Sequence, residues 1–267
     1  MADLTDRSES GAPTVLIFDS GVGGLTVFRE VAVARPDARY IYVADDAGFP
    51  YGNQPEQTLI ARIVDVVGRA IAEHQPDLVV VACNTASTLA LAALRAAYTV
   101  PFVGTVPAIK PACAQSLSKR IAVLGTLATV RLEYTKTLIR EFASGCDVVL
   151  VGSPHLASYA ERELAGRPVS DAEIASEIAG CFVDSDNRRT DTVVLACTHY
   201  PLLAERFAKL ARWPVSFIDP APAIARRVAD LLRGWPVSGL TIRPRIVFTS
   251  GQAPAPALAT FLASFGF

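Results

Sequence analysis

Short β-branched runs alternate along the whole chain with Ala- and Leu-rich stretches of helical spacing, and that alternation leaves few folds open. Strands are expected at residues 15–18, 40–44, 78–82, 102–104, 121–124, 148–151, 193–196, 216–218 and 245–248. Helices are expected between them at 25–34, 57–74, 87–98, 130–142, 170–183, 202–210 and 221–232. Most of the strand runs are apolar on both faces, as in a parallel sheet covered by helices on each side. The expected fold class is therefore α/β, with right-handed crossovers and ligand sites at the carboxyl ends of the strands. A length of 267 residues admits one large α/β domain or two smaller ones, and 51% hydrophobic residues supply a sizeable core.

Charge and cysteine usage narrow the function. Twenty-five basic against 26 acidic residues give a net charge of −1, so nothing in the overall charge favours nucleic acid or an anionic membrane as a partner. The residues before Thr14 are polar and include Asp3, Asp6 and Glu9, and are expected to form no secretory leader. No segment supplies the roughly 20 apolar residues of a membrane span. Cys83, Cys113, Cys146, Cys181 and Cys197 form an odd set without C-x-x-C spacing, which fits a reducing cytosol better than a disulfide framework or structural zinc. His74, His155 and His199 have no metal-ligand spacing, so no metal is expected. None of the four lysines, Lys110, Lys119, Lys136 and Lys209, lies in a strand-end motif suited to a pyridoxal phosphate Schiff base, which favours chemistry without a cofactor.

An internal repeat carries the chemistry. Asp77-Leu-Val-Val-Val-Ala-Cys83-Asn84-Thr85 resembles Asp191-Thr-Val-Val-Leu-Ala-Cys197-Thr198-His199, with the cysteines 114 residues apart and five of the first seven positions identical. The run 15–21 has a looser counterpart in 121–127, which aligns Ser20 with Thr126 at an offset of 106. Similar offsets in the same order imply two related halves, although V-V-x-A-C is also a common buried strand. Each cysteine ends an apolar strand and precedes polar residues that open a helix, where backbone N–H groups can lower a thiol pKa from about 8.5. Two such thiols facing each other across a cleft suit proton transfer at a carbon centre, one removing a proton and the other supplying one to the opposite face. Disulfide redox chemistry is the competing use.

Other motifs surround the thiols. Asp19-Ser20-Gly21-Val22-Gly23-Gly24 follows the first strand but fails the G-x-G-x-x-G dinucleotide pattern at Thr26. Its glycines are expected to let backbone approach a small ligand, with Asp19 and Ser20 as polar contacts, or with Ser20 capping the next helix. Pro50-Tyr51-Gly52 lies in a polar loop, 45–57, able to close over a site. His199 is placed to accept the Cys197 proton or to stabilise its thiolate. The stretch 153–159, with His155, reads as a loop.

Taken together and in order, the 19–24 turn, Pro50-Tyr51-Gly52, Cys83-Asn84-Thr85-Ala86-Ser87, Gly125-Thr126 and Cys197-Thr198-His199-Tyr200-Pro201-Leu202 resemble the glutamate racemases of the aspartate/glutamate racemase superfamily. The resemblance implies two pseudo-symmetric α/β domains, residues 1–106 with 220–267 and residues 107–219, with the active site in the cleft between them. It implies a cofactor-independent, cytoplasmic homodimer that interconverts L- and D-glutamate for peptidoglycan synthesis. Cys83 would take the α-proton from D-glutamate with help from Asp19, and Cys197 from L-glutamate with help from His199. Asp19, Ser20, Tyr51, Gly52, Asn84, Thr85, Thr126, Thr198 and His199 match substrate-binding positions, and Glu161 matches an acidic residue near the second cysteine. An α-proton is so weakly acidic that fixed donors must stabilise charge developing on the substrate carboxylate, and a dry, closed cleft is expected. Rivals are a racemase for aspartate or a hydantoin, a decarboxylase on the same scaffold, and a two-lobed binding module without catalysis.

Overall fold

The computed structural model describes residues 11–235 and 242–267. The polar N-terminal run lies, up to residue 10, outside the described residues. One parallel sheet holds, in spatial order, β11 (Arg245–Phe248), β2 (Arg39–Ala44), β1 (Thr14–Asp19), β3 (Leu78–Val81) and β4 (Phe102–Gly104). A second holds β10 (Ser216–Ile218), β9 (Thr192–Ala196), β5 (Arg120–Thr126) and β6 (Asp147–Ser153). A short antiparallel hairpin, β7 (Asp184–Ser185) with β8 (Arg188–Arg189), precedes β9. The nine expected strands all form, within two residues at each end.

Helices cover both faces of each sheet, as continuous apolar strands require. In β1, Val15 and Ile17 pack with α1 (Leu25–Ala34) and α10 (Ala221–Leu231), while Leu16 and Phe18 pack with α2 (Glu56–His74) and α3 (Asn84–Ala97). Strand β5 divides in the same way. Ala122 and Leu124 join the cluster of α7 (Leu156–Leu164) and α8 (Asp171–Ile178), and Ile121 and Val123 join that of α4 (Ile109–Gln115).

The two halves repeat down to strand register. Phe18 pairs with Val81 between β1 and β3, and Leu124 pairs with Leu195 between β5 and β9. Shifting the first pair by 106 and 114 residues gives the second, so the offsets that align Ser20 with Thr126 and Cys83 with Cys197 are those of the sheets themselves.

Several helical expectations need correction. The helix expected at 130–142 is two, α5 (Leu127–Arg131) and α6 (Glu133–Phe142), separated by extended Leu132. Thr126 caps α5 early, and the Thr135 hydroxyl occupies the Thr129 carbonyl at 2.6 Å across the break. Helix α8 starts from a capping box between Ser170 and Glu173, ends at Ile178, and tightens into a 3₁₀ turn that delivers Cys181 and Phe182 to the core. The helix expected at 202–210 starts as a 3₁₀ turn at Tyr200–Leu203 and continues as α9 (Ala204–Leu210).

Of the loop expected at 153–159, Pro154 and His155 form a bend after β6, but 156–159 open α7. Only Leu156 and Ala160 on that helix are buried, a stripe too thin to register as periodicity. Helices α4 and α11 (Pro256–Ala263) were not expected.

Leu124 is fully buried at the centre of the second sheet. We expect Leu124→Ala to cost about 2–5 kcal/mol, read as a fall in the urea midpoint at unchanged slope.

Candidate active site

Both repeated cysteines emerge at the carboxyl ends of their sheets and face one cleft. Ser20, Tyr51, Gly52, Cys83 and Asn84 line it from the first half, and Thr126, Ser153, Cys197, Thr198 and His199 line it from the second. The cavity left between these walls is only about 20 Å³, room for about one water, so the cleft is nearly closed. Both thiols are buried and free. The halves are tied together around the cleft. The Thr85 and Thr126 hydroxyls lie 3.1 Å apart, the Thr198 hydroxyl donates to Asp19 Oδ1 at 3.1 Å, and Thr26 donates to the Thr198 carbonyl at 3.2 Å.

Cys83 occupies the N-cap of α3, its sulfur accepting the Ala86 N–H at 3.5 Å and donating to the Ser20 hydroxyl at 3.7 Å. The expected lowering of its pKa does not follow. Burial, reinforced by the negative charge of Asp19, pushes the thiol up to about 12, because the helix-terminal N–H is outweighed by loss of water. Asp19 is itself buried one layer behind the cavity wall. Burial raises its pKa despite the positive charge of His199 and the hydrogen bonds that it accepts from Gly21 and Thr198. Ser20 does not cap a helix: α1 begins after Gly24 without a side-chain cap.

Cys197 sits differently, because a 3₁₀ turn rather than an α-helix follows it. Its sulfur lies 3.9 Å from His199 Nδ1, and His199 Nε2 lies 2.9 Å from Glu161 Oε1 on α7. Burial disfavours an imidazolium, yet the hydrogen bonds with Cys197 and Glu161 raise the His199 pKa well above its ordinary value. A protonated His199 donates from both nitrogens, one towards sulfur and one towards carboxylate. Glu161 Oε1 also accepts the Val22 N–H at 2.9 Å, which ties α7 to the glycine turn of the other half.

The glycines of that turn do not line the cleft. A methyl group on Gly23 would lie 2.5–2.8 Å from the His199 ring, and one on Gly21 would meet the Glu161 carboxylate. The glycines make room for this histidine–glutamate pair, and sequence spacing does not reveal so distant a neighbour.

The remaining expected residues divide into two kinds. Asn84 is buried with neither amide atom bonded within the protein, which leaves its donor and acceptor ready for a ligand. Thr85, Thr126 and Thr198 line the cleft but already bond one another or Asp19. Tyr51 presents its ring, while its hydroxyl donates to Asp45 at 2.5 Å. Phe49, Asn53, Ser153, Pro154 and Ala157 also line the cavity and were not expected. Phe49 packs against His199 with ring centres 5.4 Å apart. Among the described residues no cluster of three or more His, Cys, Asp or Glu could hold a metal ion, and no helix is long and apolar enough to cross a membrane.

Two pseudo-symmetric parallel-sheet halves with a thiol on each side of the shared cleft define the class. The sequence profile of the Asp/Glu/Hydantoin racemase family matches residues 26–228, and the chain belongs to that family. The glutamate racemase of Brucella anthropi is 56% identical over 220 residues, 82% of this chain and 79% of that one, and that of Brucella canis is 54% identical over 219 residues with the same coverage. The crystal structure of Escherichia coli glutamate racemase, in complex with L-glutamate and the activator UDP-MurNAc-Ala, superposes with a TM-score of 0.87 at 38% identity, covering 96% of both chains.

The raised His199 pKa has a signed consequence. The arrangement contributes stability that is full below the ordinary histidine pKa of about 6.5 and is lost as pH rises through the elevated folded value. We expect Glu161→Gln to lower the His199 pKa, measured by NMR titration. The stability lead of the unmodified chain over this variant, measured by urea unfolding, should be largest at acidic pH and shrink on going alkaline.

Proposed function

We propose that the chain is a glutamate racemase, exchanging the α-proton of L- and D-glutamate between Cys83 and Cys197 without an added cofactor. The observation that carries this reading is the pair of buried free thiols on opposite halves of one cleft, each with a different titratable neighbour. The names and liganded structures of the relatives support glutamate as the substrate. Residues 1–106 with 220–267 and residues 107–219 act as two domains that close on the substrate.

The protonation states set the direction of the first step. Cys83, with its pKa pushed up, rests as a thiol, while protonated His199 places positive charge beside the Cys197 sulfur. Cys197 therefore takes the α-proton of L-glutamate, and Cys83 delivers its proton to the opposite face of the same carbon, giving D-glutamate. The reverse reaction starts from the complementary state, with Asp19 assisting Cys83. Charge developing on the substrate carboxylate is met by the free Asn84 amide and by hydroxyls of Ser20, Thr85 and Thr126, while Tyr51 and Gly52 hold the bound glutamate in both ground and transition states. His199, on Glu161, keeps positive charge beside Cys197.

The enzyme works in the cytosol as a homodimer, a placement in keeping with its five free thiols, and its D-glutamate serves peptidoglycan synthesis.

Either enantiomer incubated in deuterated water should racemise without cofactor, with α-deuterium entering the product before the remaining substrate. Cys83→Ala and Cys197→Ala should each lower racemisation by at least about 10²-fold while circular dichroism stays native, because each removes one of the two acid/base groups. Wild-type turnover in either variant sinks the two-base mechanism. In a parallel panel, glutamate should turn over and aspartate and hydantoins should not; turnover of aspartate instead would move the assignment within the family.

A further inference from the structure

Asp45 follows β2 directly and its side chain is completely buried, yet it does not line the cleft. Four donors converge on its two oxygens. Arg62 on α2 gives a bidentate pair, Nε to Oδ2 and an NH to Oδ1, both at 2.6 Å. The Tyr51 hydroxyl donates to Oδ2 at 2.5 Å and the Thr249 hydroxyl to Oδ1 at 2.6 Å. Burial alone would raise its pKa, but these donors hold the Asp45 carboxyl below the usual range, so it stays ionised. The backbone closes tightly over the pair: a side chain at Gly48 would run into the Arg62 guanidinium and Asp45 Oδ2.

This cluster lies at the base of the turn 49–52, which touches three parts of the cleft. Phe49 packs on His199, the Tyr51 ring packs with Phe18 and Cys83, and Gly52 lies so close to Thr126 that an added methyl would sit 2.9 Å from its Cβ. The loop after β11 braces the same region, with Ser250 donating to both oxygens of Asp46 and the Thr249 N–H to the Ala44 carbonyl.

We propose that the Asp45–Arg62 ion pair, completed by Thr249, is the positioning device for the Phe49–Gly52 turn, and that it sets glutamate affinity through the Tyr51 hydroxyl. The inference rests on the racemase reading above. The pair reaches no substrate atom; it acts by holding the Tyr51 ring and the Gly52 backbone against the other half. Such binding is shared by ground and transition states, so losing it raises KM and spares kcat.

The test uses the full chain and the steady-state kinetics of both enantiomers. Arg62→Ala should raise KM by about tenfold or more with kcat changed less than about threefold, since displacing binding groups weakens both states alike. Arg62→Lys, which keeps the charge but not the fork, should recover part of that loss. Should Arg62→Ala fail to fold, Arg62→Lys and Thr249→Val decide, the latter removing one donor at nearly constant volume. Raised KM in both, at near-native thermal midpoints, supports the inference. Unchanged KM, or a fall in kcat alone that tracks the folded fraction, overturns it. No turnover by the unmodified chain overturns the racemase reading and this inference with it.

Discussion

A histidine buried in a cleft closed to water needs a partner for each ring nitrogen, and much of this molecule is arranged to supply them. His199 stands between the Cys197 sulfur and the Glu161 carboxylate, so three titratable groups from the turn after β9 and from α7 share one chain of contacts. The glycine turn of the opposite half leaves space for the imidazole and carboxylate and lends the Val22 N–H to Glu161. The cleft therefore closes on a charged network rather than on apolar surface. Removing one member leaves the others buried without full compensation.

The scaffold is symmetric and the chemistry is not. Strand register repeats between the halves with the same offsets that align the two cysteines. Behind Cys83 lie a hydroxyl, a helix-terminal N–H and a buried carboxyl; behind Cys197 lies a histidine held by a carboxylate. One thiol is consequently kept protonated and the other is kept beside positive charge. The proposed two-base proton transfer needs that difference at every moment, because one group must accept as the other donates.

The strands were legible from their continuous β-branched runs, which burial on both faces demands in β1, β3, β5 and β9, and all nine lie where those runs are. Helices were missed or misdrawn where the buried stripe is thin or where a hydroxyl redirects the backbone, as at α7 and at the α5–α6 break. In the site, the two cysteines and their polar neighbours were readable as a repeat. The purpose of Gly21 and Gly23 was not, since the side chains they accommodate lie more than a hundred residues away. Asp45 and Arg62 gave no signal either: separated by a turn and the first helical turns of α2, they form a motif only once folded.

Local pattern alone thus determined the α/β class, the pairing of two related halves and the location of one thiol at the end of a strand in each. These follow from periodicity and turn chemistry, which act over a few residues. Tertiary structure decided the electrostatics. Water is excluded only after both halves meet, and only then does burial raise the Cys83 and Asp19 pKa values while Glu161 and Cys197 raise that of His199. The protonation states on which the chemistry depends are properties of the closed cleft, because desolvation and charge pairing depend on distances in space rather than along the chain.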